Sequence, residues 1–170
     1  MRVHSHAHGL AALGHEIYVI SQGADEESRE WDDGPVHLIR IPGFDKFMPI
    51  ATEPVRWLTY SAQVAAAVTA LDAEKSLDLV VFPGQGGEGF IHLLNQTEWN
   101  RIPSIIQIYT SDESPGRSSG EPEADSEFRR IAAMMEETCL RLAAATCSST
   151  EIQQIERFYR SFISKTPQKR

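Results

Sequence analysis

The sequence predicts a single α/β domain built on a parallel β-sheet covered by helices, and three observations carry that prediction. Short β-rich runs recur at residues 17–20, 36–41, 78–82 and 105–109. Segments of helical length separate the last three of them, with apolar residues three and four apart. The run Leu79-Val80-Val81-Phe82 is continuously apolar, as expected of a strand buried on both faces under helices. Strands that alternate with helices of this length form βαβ units, whose strands are parallel.

In chain order, residues 9–14 form a short helical pattern that ends at Gly14, a residue suited to a left-handed helix C-cap. Ile17-Tyr18-Val19-Ile20 follows as the first strand. Residues 21–35 are polar and acidic and read as a loop. Val36-His37-Leu38-Ile39-Arg40-Ile41 is a second strand, stopped by Pro42-Gly43, and residues 44–54 are irregular. A helix is expected over 55–73, its stripe formed by Leu58, Ala62, Ala65, Val68 and Leu71. The strand at 78–82 leads into a glycine-rich turn at 83–89 and a helical stretch at 88–96. Another strand covers 105–109, and 110–125 is a long polar loop. Asp125 or Ser126 can cap the next helix, whose stripe is Phe128, Ile131, Met135, Cys139 and Leu142. Residues 144–147 form a short strand, and a last helix carries Ile152, Ile155, Tyr159 and Phe162. The pattern contains no internal repeat and no low-complexity segment.

Composition bounds the function. The chain has 170 residues, enough for one domain with a buried core. Hydrophobic residues make up 41% and charged residues 24%, the balance of a folded chain. The net charge of −8 lacks the positive footprint that phosphate backbones demand, so no nucleic-acid partner is expected. The short basic tail of Lys165, Lys169 and Arg170 is too small for a polybasic membrane anchor. No apolar run reaches the length of a transmembrane segment. The residues after Met1 hold no apolar signal core. Cys139 and Cys147 read as reduced core thiols rather than a disulfide scaffold or a zinc site. Together these features place the protein in the cytoplasm.

Among candidate sites, Gly84-Gln85-Gly86-Gly87-Glu88-Gly89 has the spacing G-x-G-x-x-G between a strand and a helix. Such glycines can admit a pyrophosphate to the backbone, or they can simply make a tight turn that lines a cleft. Pro83 interrupts the approach, and no acidic residue closes the next strand before Asp112 and Glu113. His4, His6 and His8 alternate, but alternate positions on a helix do not converge and no carboxylate is near in sequence, so no metal is assigned. His15-Glu16 reads as a structural pair at a turn, Glu136-Glu137 as a solvated helix face and His92 as a packed residue. Ser148-Ser149 can cap the last helix.

Several segments, taken in order, resemble the N-terminal domain of the subfamily-four-like glycosyltransferases. Leu10-Ala11-Ala12-Leu13-Gly14-His15-Glu16-Ile17-Tyr18-Val19-Ile20 looks like that family's "A-x-x-G-H-E-V-x-V" helix, turn and strand. Val36 to Pro42-Gly43 is similar to its "V-x-V-x-R-I-P" strand, and Asp78-Leu79-Val80-Val81-Phe82-Pro83 to the strand entering its central cleft. Ile102-Pro103-Ser104-Ile105-Ile106-Gln107-Ile108 is similar to "I-P-x-V-x-x-x-H-G". Arg141-Leu142-Ala143-Ala144-Ala145 with Ser148-Ser149 resembles "E-x-x-x-x-x-x-A-D-x-V-x-x-S".

The resemblance implies one half of a GT-B fold, a Rossmann-like parallel sheet with helices on both faces. It also implies transfer of a sugar from a nucleotide-sugar donor to an acceptor hydroxyl. By the same resemblance the acceptor is expected to be held by this domain, at Gly84, Gln85, Gly86, Gly87, Glu88, Tyr109, Thr110 and Ser148. No cofactor is expected. The partners implied are a sugar or glycan acceptor and a donor-domain polypeptide, or a second copy of the chain.

Three departures shape the expectation. The match starts at the family's first helix, without its opening strand, and covers residues 1–163, followed by a basic tail at 164–170 expected to be disordered. The donor domain has no counterpart in the match. Tyr109-Thr110 stands where the family has "H-G", and tyrosine does not supply the neutral-pH chemistry of that active-site histidine. No catalytic residue is therefore assigned, and no transfer is expected from this chain alone. The alternatives are a non-catalytic binding or interaction module, and a nucleotide-cofactor enzyme built around Gly84, Gly86 and Gly89.

Overall fold

A computed structural model describes residues 2–23, 27–43, 53–108, 126–147 and 157. The order of elements is α1 (Arg2–Ala12), β1 (Ile17–Gln22), β2 (Arg29–Asp33), β3 (Val36–Ile41), α2 (Glu53–Lys75), β4 (Val80–Pro83), α3 (Phe90–Leu94), β5 (Ser104–Gln107), α4 (Ser126–Leu142) and β6 (Ala145–Cys147). The α/β class and the parallel pairing follow the sequence reading. β1 runs parallel to β3 from Ile17↔Val36 to Gln22↔Ile41. β4 runs parallel to β5, and β5 to β6.

The strands form two three-stranded sheets, β1-β3-β2 and β4-β5-β6. Both feed one core. Ile41 of β3, Phe82 of β4 and Ile106 of β5 are buried together with Val64, Val68, Met135 and Cys139 of α2 and α4, and Ile20 of β1 packs against them. Strand side chains alternate between faces, so Ile106 sets which face of β5 meets α2 and α4. Gln107 lies on the other face, where its amide meets His6 Nδ1 of α1 at 3.2 Å. Helices thus cover β5 on both sides, and all four of its residues are buried.

Several local expectations are corrected. Residues 29–33, inside the expected loop 21–35, form β2, antiparallel to β3. Arg29-Glu30-Trp31-Asp32-Asp33 lacks the apolar alternation of a strand and is almost wholly exposed. Pairing with β3 makes it a strand, and Arg40 lies 4.8 Å over the Trp31 ring. A charged edge of this kind also discourages pairing with another chain. The run 78–82 is not buried on both faces: β4 is an edge strand and Val81 is 37% exposed. The fully buried central strand is β5. On α2, Leu58 and Ala62 point outward, and the buried face is Ser61, Val64, Ala65, Val68 and Leu71. Ser61 hides the true phase, because a polar residue breaks the apolar count. On α4, Met135 and Cys139 are buried but Leu142 is exposed.

The last helix expected near 152–162 lies outside the described residues except for Arg157, which is helical. Also outside them are residues 44–52, the loop 110–125 and the tail 164–170. Both cysteines are buried and neither is in a disulfide. No helix among the described residues is long and apolar enough to cross a membrane.

The first turn follows the sequence reading closely. Gly14 N donates to Ala11 O at 2.9 Å, His15 N to Leu10 O at 3.3 Å, and Gly14 has φ +93°. Nothing lies within 4 Å of where a Cβ would stand, so only the left-handed backbone opposes a side chain. Gly14→Ala is expected to destabilise the fold by about 1 kcal/mol, read as a lower urea midpoint. An unchanged midpoint would remove the conformational role of this glycine.

Candidate functional site

Five of the expected site residues, Gly84 to Glu88, form the turn between β4 and α3. Its glycines are required by packing. A Cβ on Gly86 would stand 2.6 Å from the Trp57 ring of α2, and one on Gly87 2.5 Å from Met135 Cβ of α4. Both residues also have positive φ, +82° and +64°, where side chains are strained. Gly89 faces the Phe82 ring, which its Cβ would approach to 2.8 Å. The turn is therefore wedged between two helices and the strand it leaves.

Two of its amides are committed inside the protein. Gly84 N donates to Gln107 O at 2.8 Å, and Gly86 N donates to Glu136 Oε1 at 2.8 Å. Glu136 was expected on a solvated face with Glu137. Instead its carboxylate reaches the turn, while Glu137 pairs with Arg141 on the exposed side. Fifty residues separate Glu136 from Gly86, so no local pattern could have linked them. A carboxylate already accepts from an amide that a pyrophosphate would need, and negative charge there opposes a phosphate. The G-x-G-x-x-G spacing thus serves packing in this fold.

Glu88 is the chemically distinctive residue of the turn. Burial raises its carboxyl from 4.5 to about 7. Ser61 Oγ, at the centre of α2, donates to Glu88 O at 2.9 Å and accepts from Ile91 N at 3.0 Å. One hydroxyl therefore fixes both the backbone of Glu88 and the start of α3. Tyr60, beside it on α2, has its phenol raised by burial first and by the Glu88 charge second. Trp57 meets the Tyr60 ring edge-on, with centroids 6.5 Å apart. A carboxyl that gains and loses its proton near neutrality, next to a protonated phenol, can hydrogen-bond a substrate hydroxyl or take its proton. Sequence reasoning included Glu88 but missed Tyr60, Ser61 and Glu136, whose link to the turn exists only in space.

Of the other expected site residues, Gln85 is exposed and Gly84 half-buried in the same turn. Tyr109, Thr110 and Ser148 lie outside the described residues. His92 is packed as expected: it is buried, its Nε2 meets Gln96 Nε2 at 2.8 Å, and burial lowers its pKa. A shallow depression on the β2–β3 hairpin, lined by Arg29, Glu30, Trp31 and Arg40, shares no residue with the turn.

The raised Glu88 carboxyl makes stability depend on pH. Between pH 4.5 and about 7 the folded chain keeps a proton that the unfolded chain has lost. The stability this contributes is complete below pH 4.5 and is lost as pH rises through 7. Relative to Glu88→Gln, the wild type is expected to lose on the order of 3 kcal/mol across that window. Urea midpoints of both proteins near pH 5 and pH 8 measure this. An equal gap at both pH values would place the Glu88 carboxyl in water.

A model of the glycosyl transferase 4-like domain matches residues 1–165. Neither the curated proteins nor the solved structures contain a match. The match spans every described element, including the turn between β4 and α3. The chain belongs to the glycosyl transferase 4-like family, whose function is of glycosyltransferase type.

Proposed function

We propose that this chain is the acceptor-binding half of a GT-B glycosyltransferase acting in the cytoplasm, and that sugar transfer needs a donor domain facing it. The observation that carries the reading is Glu88. It combines a carboxyl held near pH 7 with a position just past the carboxyl end of a parallel strand, where α/β folds bind their ligands. Glu88 accepts a hydrogen bond from the acceptor hydroxyl, and Gln85 adds an exposed amide on the same turn. Commitment of the Gly84 and Gly86 amides to Gln107 and Glu136 favours a neutral sugar over a pyrophosphate here. The donor nucleotide therefore belongs to the facing donor domain.

Ligand-observed NMR with a panel of glycosides and nucleotide sugars tests this. Glycoside binding that Glu88→Gln weakens, with no turnover of labelled nucleotide sugars by the chain alone, is the expected result. Turnover by the 170-residue chain, lost in Glu88→Gln, would overturn the need for a donor domain.

The domain is further proposed to take one more parallel strand between its two sheets. In the resembling family an opening strand lies between the counterparts of β1 and β4. Among the described residues β1 pairs only with β3, and β4 only with β5, yet Ile20 and Phe82 from these two edges share one core. Unpaired edges of this kind recruit strands, and each buried unpaired backbone group costs about 1–3 kcal/mol. A β-rich peptide supplied in trans should pair with these edges and raise the melting temperature. A monomer with a sharp transition and full amide protection in 17–20 and 78–82 would show that no strand is wanted.

A further inference from the structure

We infer a divalent transition-metal site, of zinc type, formed by His4, His8 and Asp33 where α1 crosses the β2–β3 hairpin. The sequence reading held that the alternating histidines do not converge. That holds for His6, whose Nδ1 meets Gln107 on the sheet side. It fails for His4 and His8, which are four apart and share one helix face. Their rings lie 4.3 Å apart between centroids. The Nε2 atoms of both aim at one oxygen, Asp33 Oδ2, at 2.9 Å and 3.0 Å.

The hairpin explains why this carboxylate is the one presented. Asp33 is the last residue of β2, opposite Val36, with Gly34 turning the chain at φ +59°. Neighbouring strand residues point to opposite faces. Asp32 accordingly turns away and pairs with His37 Nδ1 at 2.6 Å. Among the described residues the carboxylate presented under α1 is Asp33, and the two histidines hold its pKa below the ordinary value, His8 first.

The three ligand atoms lie within 4.8 Å of one another. Zinc holds nitrogen and oxygen at about 2.0–2.2 Å, so tetrahedral ligand atoms stand roughly 3.3 Å apart. Side-chain swings of about 1 Å convert the hydrogen-bonded cluster into a coordination shell. Two imidazoles with one carboxylate suit zinc, cobalt or nickel, whereas calcium and magnesium prefer oxygen ligands throughout. The His4 side chain is 64% exposed and Asp33 40%, so an ion can enter and water can complete its coordination. A bound ion would clip α1 to the hairpin across 25 residues of sequence, in which case binding and folding are coupled.

Cobalt and zinc titrations of the full chain near neutral pH test the site. One equivalent of cobalt is expected to give the visible absorption of a four- or five-coordinate ion, displaced by zinc. Zinc at 100 times its Kd should lower the unfolding constant about 100-fold. His8→Ala and Asp33→Asn should each weaken binding by at least about tenfold, and His6→Ala should leave it intact. His4→Ala removes an exposed ligand and supplies a variant whose folding is not in question. Equal zinc affinity in the wild type and in His4→Ala/His8→Ala, or binding lost with His6→Ala instead, would overturn the proposal.

Discussion

The close approach of the β4–α3 turn to α2 and α4 is the constraint on which the rest of the structure depends. Backbone atoms of Gly86 and Gly87 pass where side chains would strike Trp57 and Met135. That closeness lets Met135, Cys139, Val64 and Val68 converge on Phe82 and Ile106 in one core. Any larger residue at either glycine would push α2 and α4 apart and open the core beneath them. The hydrogen bond from Gly86 N to Glu136 and the two bonds of Ser61 then hold the turn in register with both helices.

The same crowding creates the chemistry of the site. Glu88 follows directly on the wedged glycines, and burial there raises its carboxyl to about 7. Burial acts in the same direction on the Tyr60 phenol and the Cys139 thiol, the latter reaching about 11. A desolvated acid pays a penalty only when charged, which supports the proposal that this turn takes a neutral, hydroxyl-bearing ligand. Glu136, accepting from the turn at 2.8 Å, supports the same reading. Close packing and the raised Glu88 carboxyl thus occur in one turn.

Around this centre the molecule is held by contacts that cross long stretches of chain. Gln107 of β5 reaches His6 of α1, and Asp33 reaches His4 and His8. The two faces of α1 are therefore committed to different sheets, His6 to the second and His4 with His8 to the first. This helix is the polar bridge between two sheets that exchange no backbone pairing among the described residues, while α2 and Ile20 provide the apolar one.

Periodicity and turn chemistry are properties of neighbouring residues, and the sequence by itself determined what depends on them. The α/β class, the parallel pairs, the cap at Gly14, the strand at Ser104–Gln107 and the helix at Ser126–Leu142 were legible this way. So was membership of the family, because its segments keep their order along the chain. Only the tertiary structure decided that Arg29–Asp33 is a strand, since its hydrogen bonds come from β3 rather than from its own pattern. It also decided that Val81 is exposed, that Glu136 serves the glycine turn, and that His4 and His8 meet Asp33. These outcomes depend on which distant residue arrives opposite, and hydrophobic pattern carries no information about a polar partner 25 or 50 residues away.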